Sequence, residues 1–98
     1  MERLRLILSP AAGRDLDNIY DYTAKRWGSE QASAYVGSFD ARFTDLLRQP
    51  HLGSATAQSS GYRRLRHERH FVFYCVLPGV IRIVRILHQR MDAPRRLR

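Results

Sequence analysis

Lysine is almost missing from this chain of 98 residues: Lys25 stands alone among 17 basic side chains, and the other sixteen are arginine. Cysteine is as scarce. Cys75 is the only one, so no internal disulfide can close, and its setting in FVFYCV marks a small buried hydrophobe rather than a reactive thiol. Long apolar runs are lacking too. LRLIL near the start is broken by Arg5 and is too short for a signal-peptide core or a membrane span, which predicts a soluble cytoplasmic protein with no membrane partner. His51, His67, His70 and His88 are scattered, no HExxH or paired-cysteine spacing occurs, and a metal site is not expected. The six glycines stand apart, so phosphate-loop and dinucleotide patterns are absent and no cofactor is implied.

What the chain has in excess is arginine, and it is placed unevenly. The formal net charge is +8. Residues 1 to 61 hold seven basic and seven acidic residues, whereas residues 62 to 98 hold ten arginines against two acids. Arginine forks onto carboxylates and phosphates, so an anionic partner is indicated, either nucleic acid or an acidic protein.

RLRLIL alternates, with Leu4, Leu6 and Leu8 on one side and Arg3 and Arg5 on the other, and predicts a half-buried strand. Ser9 followed by Pro10 starts a helix, with Asp15 and Asp17 toward its positive end and Gly28 as its left-handed stop. Its stripe is Ala12, Leu16, Ile19, Tyr20, Thr23 and Trp27. A second helix, with Ser29 as cap, carries Ala32, Tyr35, Val36, Phe39, Phe43, Leu46 and Leu47 and ends before Pro50. HLGSATAQSSG reads as a mobile surface loop. A three-strand meander follows: YRRLR, HFVFYCV and VIRIVRIL, with turns at HER and at Pro78 and Gly79.

The fold class is therefore α+β: a single domain over 1–98 in the order β-α-α-β-β-β, with a helical hairpin packed on one face of a twisted, mainly antiparallel four-stranded sheet. A basic tail occupies about residues 88–98. At this size one core suffices, burying about 60 to 70% of the extended-chain surface. Phe71, Phe73 and Cys75 are expected under the helices, with His70, Val72, Tyr74 and Val76 on the far side. In the last strand, alternation groups Ile81, Ile83, Arg85 and Leu87 against Val80, Arg82, Val84 and Ile86. The far side would then be apolar and ringed by Arg3, Arg5, Arg64 and either Arg82 or Arg85. Such a face is covered by the C-terminal tail or by a partner.

Catalytic candidates are few. A metal-free ribonuclease needs a base, an acid and cations around the scissile phosphate, and Glu68, His67, His70 and His88 with Arg63, Arg64, Arg66 and Arg85 could supply them. The ending HQRMDAPRRLR offers no aromatic on which a base could stack.

LSPAAGRDLDNIYDYTAKRWG, the aromatic-bearing helix ending in QPHLG, YRRLRHERHFVFYCV and IRIVRILHQRMD together span nearly the whole chain, and in this order and spacing they resemble the ParE toxins of the bacterial RelE/ParE toxin-antitoxin superfamily. The resemblance implies a non-enzymatic toxin held inactive by a cognate, ParD-like antitoxin, with DNA gyrase as its target and DNA contact made mainly through the antitoxin. It implies Arg85, His88, Arg90, Met91 and Asp92 as the residues that carry toxicity. An antitoxin segment both acidic and apolar would suit the interleaved arginine and isoleucine, and its contacts are expected at Tyr20, Trp27, Tyr62, Arg64, Val72 and Tyr74, although Tyr20 and Trp27 also fit a plain core role. Two rivals stand beside this reading. One is a ribosome-dependent mRNA interferase of the RelE branch using Glu68, His88, Arg64 and Arg85; the other is a non-toxic basic nucleic-acid-binding module.

Overall fold

A computed structural model describes residues 3–56, 61–91 and 96–97. The elements run β1 (Arg5–Leu8), α1 (Pro10–Trp27), α2 (Ser29–Arg48), β2 (Ser54–Ala55), β3 (Arg63–His67), β4 (His70–Leu77) and β5 (Val80–His88). They form a five-stranded sheet in the order β1-β5-β4-β3-β2, parallel only between β1 and β5. The helical hairpin lies on one face, as expected. The fifth strand is the correction: Ser54 and Ala55, read as part of a loop, pair with Arg64 and Arg63 and extend the sheet edge.

The start signal of α1 acts as its chemistry requires, while Gly28 ends the helix at positive φ but with an extended ψ of 162° instead of the expected left-handed geometry. Ser9 Oγ accepts from Ala12 N at 3.0 Å, and Gly28 stops α1 at φ 94°. Gly28 rather than Ser29 precedes α2, which has no side-chain cap. Pro78 and Gly79, the latter at φ 72°, close the β4–β5 hairpin in the manner of a type II turn. Among the described residues no helix is long and apolar enough to cross a membrane.

The core forms where Ala12, Ile19, Phe39 and Leu46 meet Leu65, Val72, Tyr74, Ile81, Ile83 and Ile86. This reverses the expected faces of β4. Val72 and Tyr74 are fully buried beneath the helices, so neither can touch a partner on the folded surface. Tyr74 is admitted because its hydroxyl is satisfied: it donates to Pro50 O and accepts from Gly53 N, each at 2.9 Å. Phe71 and Phe73 lie on the opposite face with Leu87 and Leu97.

A β-bulge explains the arginines of β5. Tyr74 pairs with Ile83 but Phe73 pairs with Arg85, leaving Val84 as the extra residue. The slip turns the side chains beyond it over. Ile81, Ile83 and Ile86 face the helices, while Arg85 and Leu87 join Val80 and Arg82 on the far face.

Candidate functional site

The far face of the sheet is built by register. Arg5 lies beside Val80, Ile7 beside Arg82, Arg82 beside Cys75, and Arg64 and Arg66 beside Phe73 and Phe71. None of the five strands contains an aspartate or glutamate. Exposed cations therefore alternate with apolar side chains, of which Ile7 and Leu77 are 41% and 46% exposed. The Arg64 guanidinium lies 4.5 Å from the Phe71 ring centre and that of Arg66 lies 5.9 Å away. Cation–π attraction draws both cations toward the ring. Arg66 is further tied to Glu68 O and Gln89 Oε1, whereas Arg64 has no hydrogen-bonded partner among the described residues.

Arg85 is differently employed. β1 covers only the first half of β5, and where it turns into α1 the open strand edge is taken over by side chains. Ser9 N donates to Ile83 O and Ser9 Oγ to Val84 O, while Asp15 Oδ2 accepts from Ile86 N at 2.9 Å. The same Asp15 carboxylate receives Arg85 Nε and Nη2, each at 2.8 Å. This bidentate bond raises the Arg85 pKa above its ordinary value, against the opposing effect of burial. Arg85 Nη1 donates to Arg96 O in the tail. One carboxylate thus joins a helix, a strand edge and, through the guanidinium, the C-terminal segment.

A second polar group lies at the other end of the sheet, under α2. The Tyr35 hydroxyl is 2.7 Å from His70 Nδ1, and Ser38 Oγ is 2.7 Å from His67 Nε2. Burial, then the neighbouring His88 and His67, lowers the His70 pKa to about 4, so the ring is neutral at physiological pH and shares a single proton-donor bond with the Tyr35 hydroxyl. Burial also lowers His67 and raises Tyr35. His88 packs edge-on against His70, and its Nδ1 accepts from Arg90 N. An open groove of about 570 Å³ beside this group is lined by Trp27, Glu30, Gln31, Ala34, Tyr35, Ser38 and Glu68. Among the described residues no cluster of three or more His, Cys, Asp or Glu could hold a metal ion.

The expected site residues therefore separate. Arg64 and Tyr62 are on the far face, the latter half-buried against Leu97 and its neighbours. Tyr20 is half-buried on α1, and Trp27 is 54% exposed, with Arg26 stacked on both it and Tyr22. Arg90 and Met91 are exposed beyond β5, and Asp92 lies outside the described residues. The ribonuclease set does not converge: Arg64 lies on the far face, Arg85 reaches round the β5 edge to Asp15 of α1, His88 lies on the helix side, and Glu68 is exposed in the β3–β4 turn. Asp15, Phe71 and Leu97 were missed as site residues. Asp15 had a visible signal, an acid three positions after Ala12 and four before Ile19 on the buried stripe of α1, where its expected dipole role does not apply because it lies past the first turn.

Comparison with known proteins agrees with this architecture. The chain is 41% identical over 95 residues to toxin ParE1 of Mycobacterium tuberculosis, covering 95% of this chain and 97% of that protein. It is 41% identical over 88 residues to toxin ParE1 of Caulobacter vibrioides, covering 88% and 90%. The chromosomal ParDE toxin-antitoxin system from P. aeruginosa contains a chain that superposes with a TM-score of 0.79 at 26% identity, covering 88% of this chain and 96% of that one. The family described as the ParE toxin of the type II toxin-antitoxin system, parDE, matches residues 6–93, and the chain belongs to that family.

Proposed function

We propose that this protein is the toxin of a two-component pair, silenced by an antitoxin whose acidic and apolar segment lies on the arginine face of the sheet. The observation that carries this reading is the charge pattern of that face: five strands without an acid, exposed arginines on β1, β3 and β5, and apolar side chains between them. An acidic segment gains charge-assisted hydrogen bonds there and buries the apolar rows at the same time. Apolar exposure favours a polypeptide over nucleic acid, so DNA contact is assigned mainly to the antitoxin. The pairing of toxin with antitoxin in the P. aeruginosa ParDE system supports the same partner class.

The target is assigned to DNA gyrase and the mode of action to binding rather than catalysis. Membership of the ParE family supports the target. Separation of His88 from Arg64 across the sheet, with Arg85 committed to Asp15 at the β5 edge, supports the absence of a ribonuclease centre. Arg90 and Met91, exposed beyond β5, are the described residues best placed to meet a target. A cytoplasmic setting follows from such a target and suits the free thiol of Cys75.

The test is induction of the protein alone in bacteria, with growth, chromosome breaks and message integrity scored in one culture. Arrest with broken chromosomes and intact transcripts is expected. Cleaved messages with intact chromosomes would transfer the protein to the interferase reading, and unimpaired growth would remove the toxin assignment.

A further inference from the structure

One seat on the far face is already filled. Leu97 is 6% exposed and packs against Phe73 and Leu87, with Tyr62, Phe71 and Val84 around it. One residue earlier, the Arg96 carbonyl accepts from Arg85 Nη1 at 3.1 Å, while Nε and Nη2 of that guanidinium each donate to Asp15. Beside the seat, the Arg64 guanidinium lies over the Phe71 ring with its N–H groups unengaged by any described residue.

The occupant fits the shape of this seat and opposes its charge. A leucine side chain fills the apolar hollow, but Arg96 brings a further cation to a face where Arg5, Arg64, Arg66 and Arg82 are exposed and no strand supplies an acid. Each like-charge encounter disfavours the docked tail. A segment of the same backbone form with acids in place of arginines would keep the apolar contact and reverse the sign of every charge interaction.

We infer that the seat holding Leu97 is the docking site of an acidic segment of the antitoxin, turned helically where it enters the seat as Arg96 and Leu97 are. A leucine-sized side chain of that segment replaces Leu97 among Phe73, Leu87 and Tyr62. Its backbone carbonyl replaces that of Arg96 on Arg85, and a neighbouring carboxylate closes on the Arg64 fork over Phe71. The tail is then a built-in competitor, and apparent affinity for the antitoxin is reduced by the fraction of time the tail is docked. This assignment rests on the antitoxin pairing proposed for the chain and adds the seat, its competitor and the chemistry of the segment.

The experiment titrates the full-length chain, carrying ¹³C-labelled leucine methyls, with its cognate antitoxin. Expected is loss of the Leu97-to-Phe73 nuclear Overhauser contact at saturation. Leu97→Ser should bind about tenfold tighter if the tail is docked about nine-tenths of the time, and Arg64→Ala about tenfold weaker. Persistence of the Leu97 contact in the saturated complex would overturn the inference and leave the pairing intact. So would a Leu97→Ser affinity equal to or weaker than that of the parent chain. Failure of any complex to form would defeat both.

Discussion

Asp15→Ala should lower the unfolding free energy by about 3 to 4 kcal/mol, read as an earlier urea midpoint with little change in slope. The Asp15 carboxylate receives three hydrogen bonds, from Arg85 Nε, Arg85 Nη2 and Ile86 N. Its side chain is 11% exposed and that of Arg85 21%, so solvent cannot readily replace what is lost. Removing the acid strands a half-buried guanidinium and leaves a strand-edge N–H without its acceptor, two penalties that act together. Asp15→Asn keeps an acceptor for Ile86 N and should cost roughly half as much. An Asp15→Ala chain within about 1 kcal/mol of the parent would mean that the bond to Arg85 is a surface contact of little worth.

Gly53→Ala should cost about 3 kcal/mol, measured in the same titration. A Cβ built at Gly53 would stand 2.7 Å from Arg64 O and 2.8 Å from Tyr74 Oη, distances at which something must move. One neighbour is backbone of β3, and the other is a buried hydroxyl held between Gly53 N and Pro50 O. Either the short β2–β3 pairing opens or Tyr74 loses its partners in the core. At Gly37, where a Cβ would meet nothing within 4 Å, alanine should be neutral or slightly stabilising, which makes Gly37→Ala the matched control.

Elements governed by local chemistry were legible in the sequence. The pair Ser9 and Pro10, the stop at Gly28 and the turn at Pro78 and Gly79 each specify backbone through their own side chains, and α1 and the β4–β5 hairpin lie where those signals put them. Sidedness was not legible. Both faces of β4 are apolar, so alternation cannot say which lies under the helices, and the buried choice went to Tyr74 because distant backbone groups at Pro50 and Gly53 satisfy its hydroxyl. The bulge at Val84 is equally silent, since an inserted residue leaves the apolar pattern of VIRIVRIL unbroken while moving Arg85 and Leu87 to the other face. β2 was hidden by composition, because Ser54 and Ala55 carry no strand preference and pair only with what β3 presents. At the site, the abundance and position of arginine were plain, but the partner that commits Arg85 lies seventy residues away on α1, a contact no local pattern encodes.

Hydrogen exchange on the toxin–antitoxin complex tests the central claim most directly, that the arginine face of the sheet is where the partner binds. Complex formation should slow exchange most in peptides from β3, β4 and β5, whose side chains form that face, and leave the exposed surface of the helical hairpin near its free rate. Protection confined to α1 and α2, with the sheet peptides exchanging as in the free chain, would contradict it.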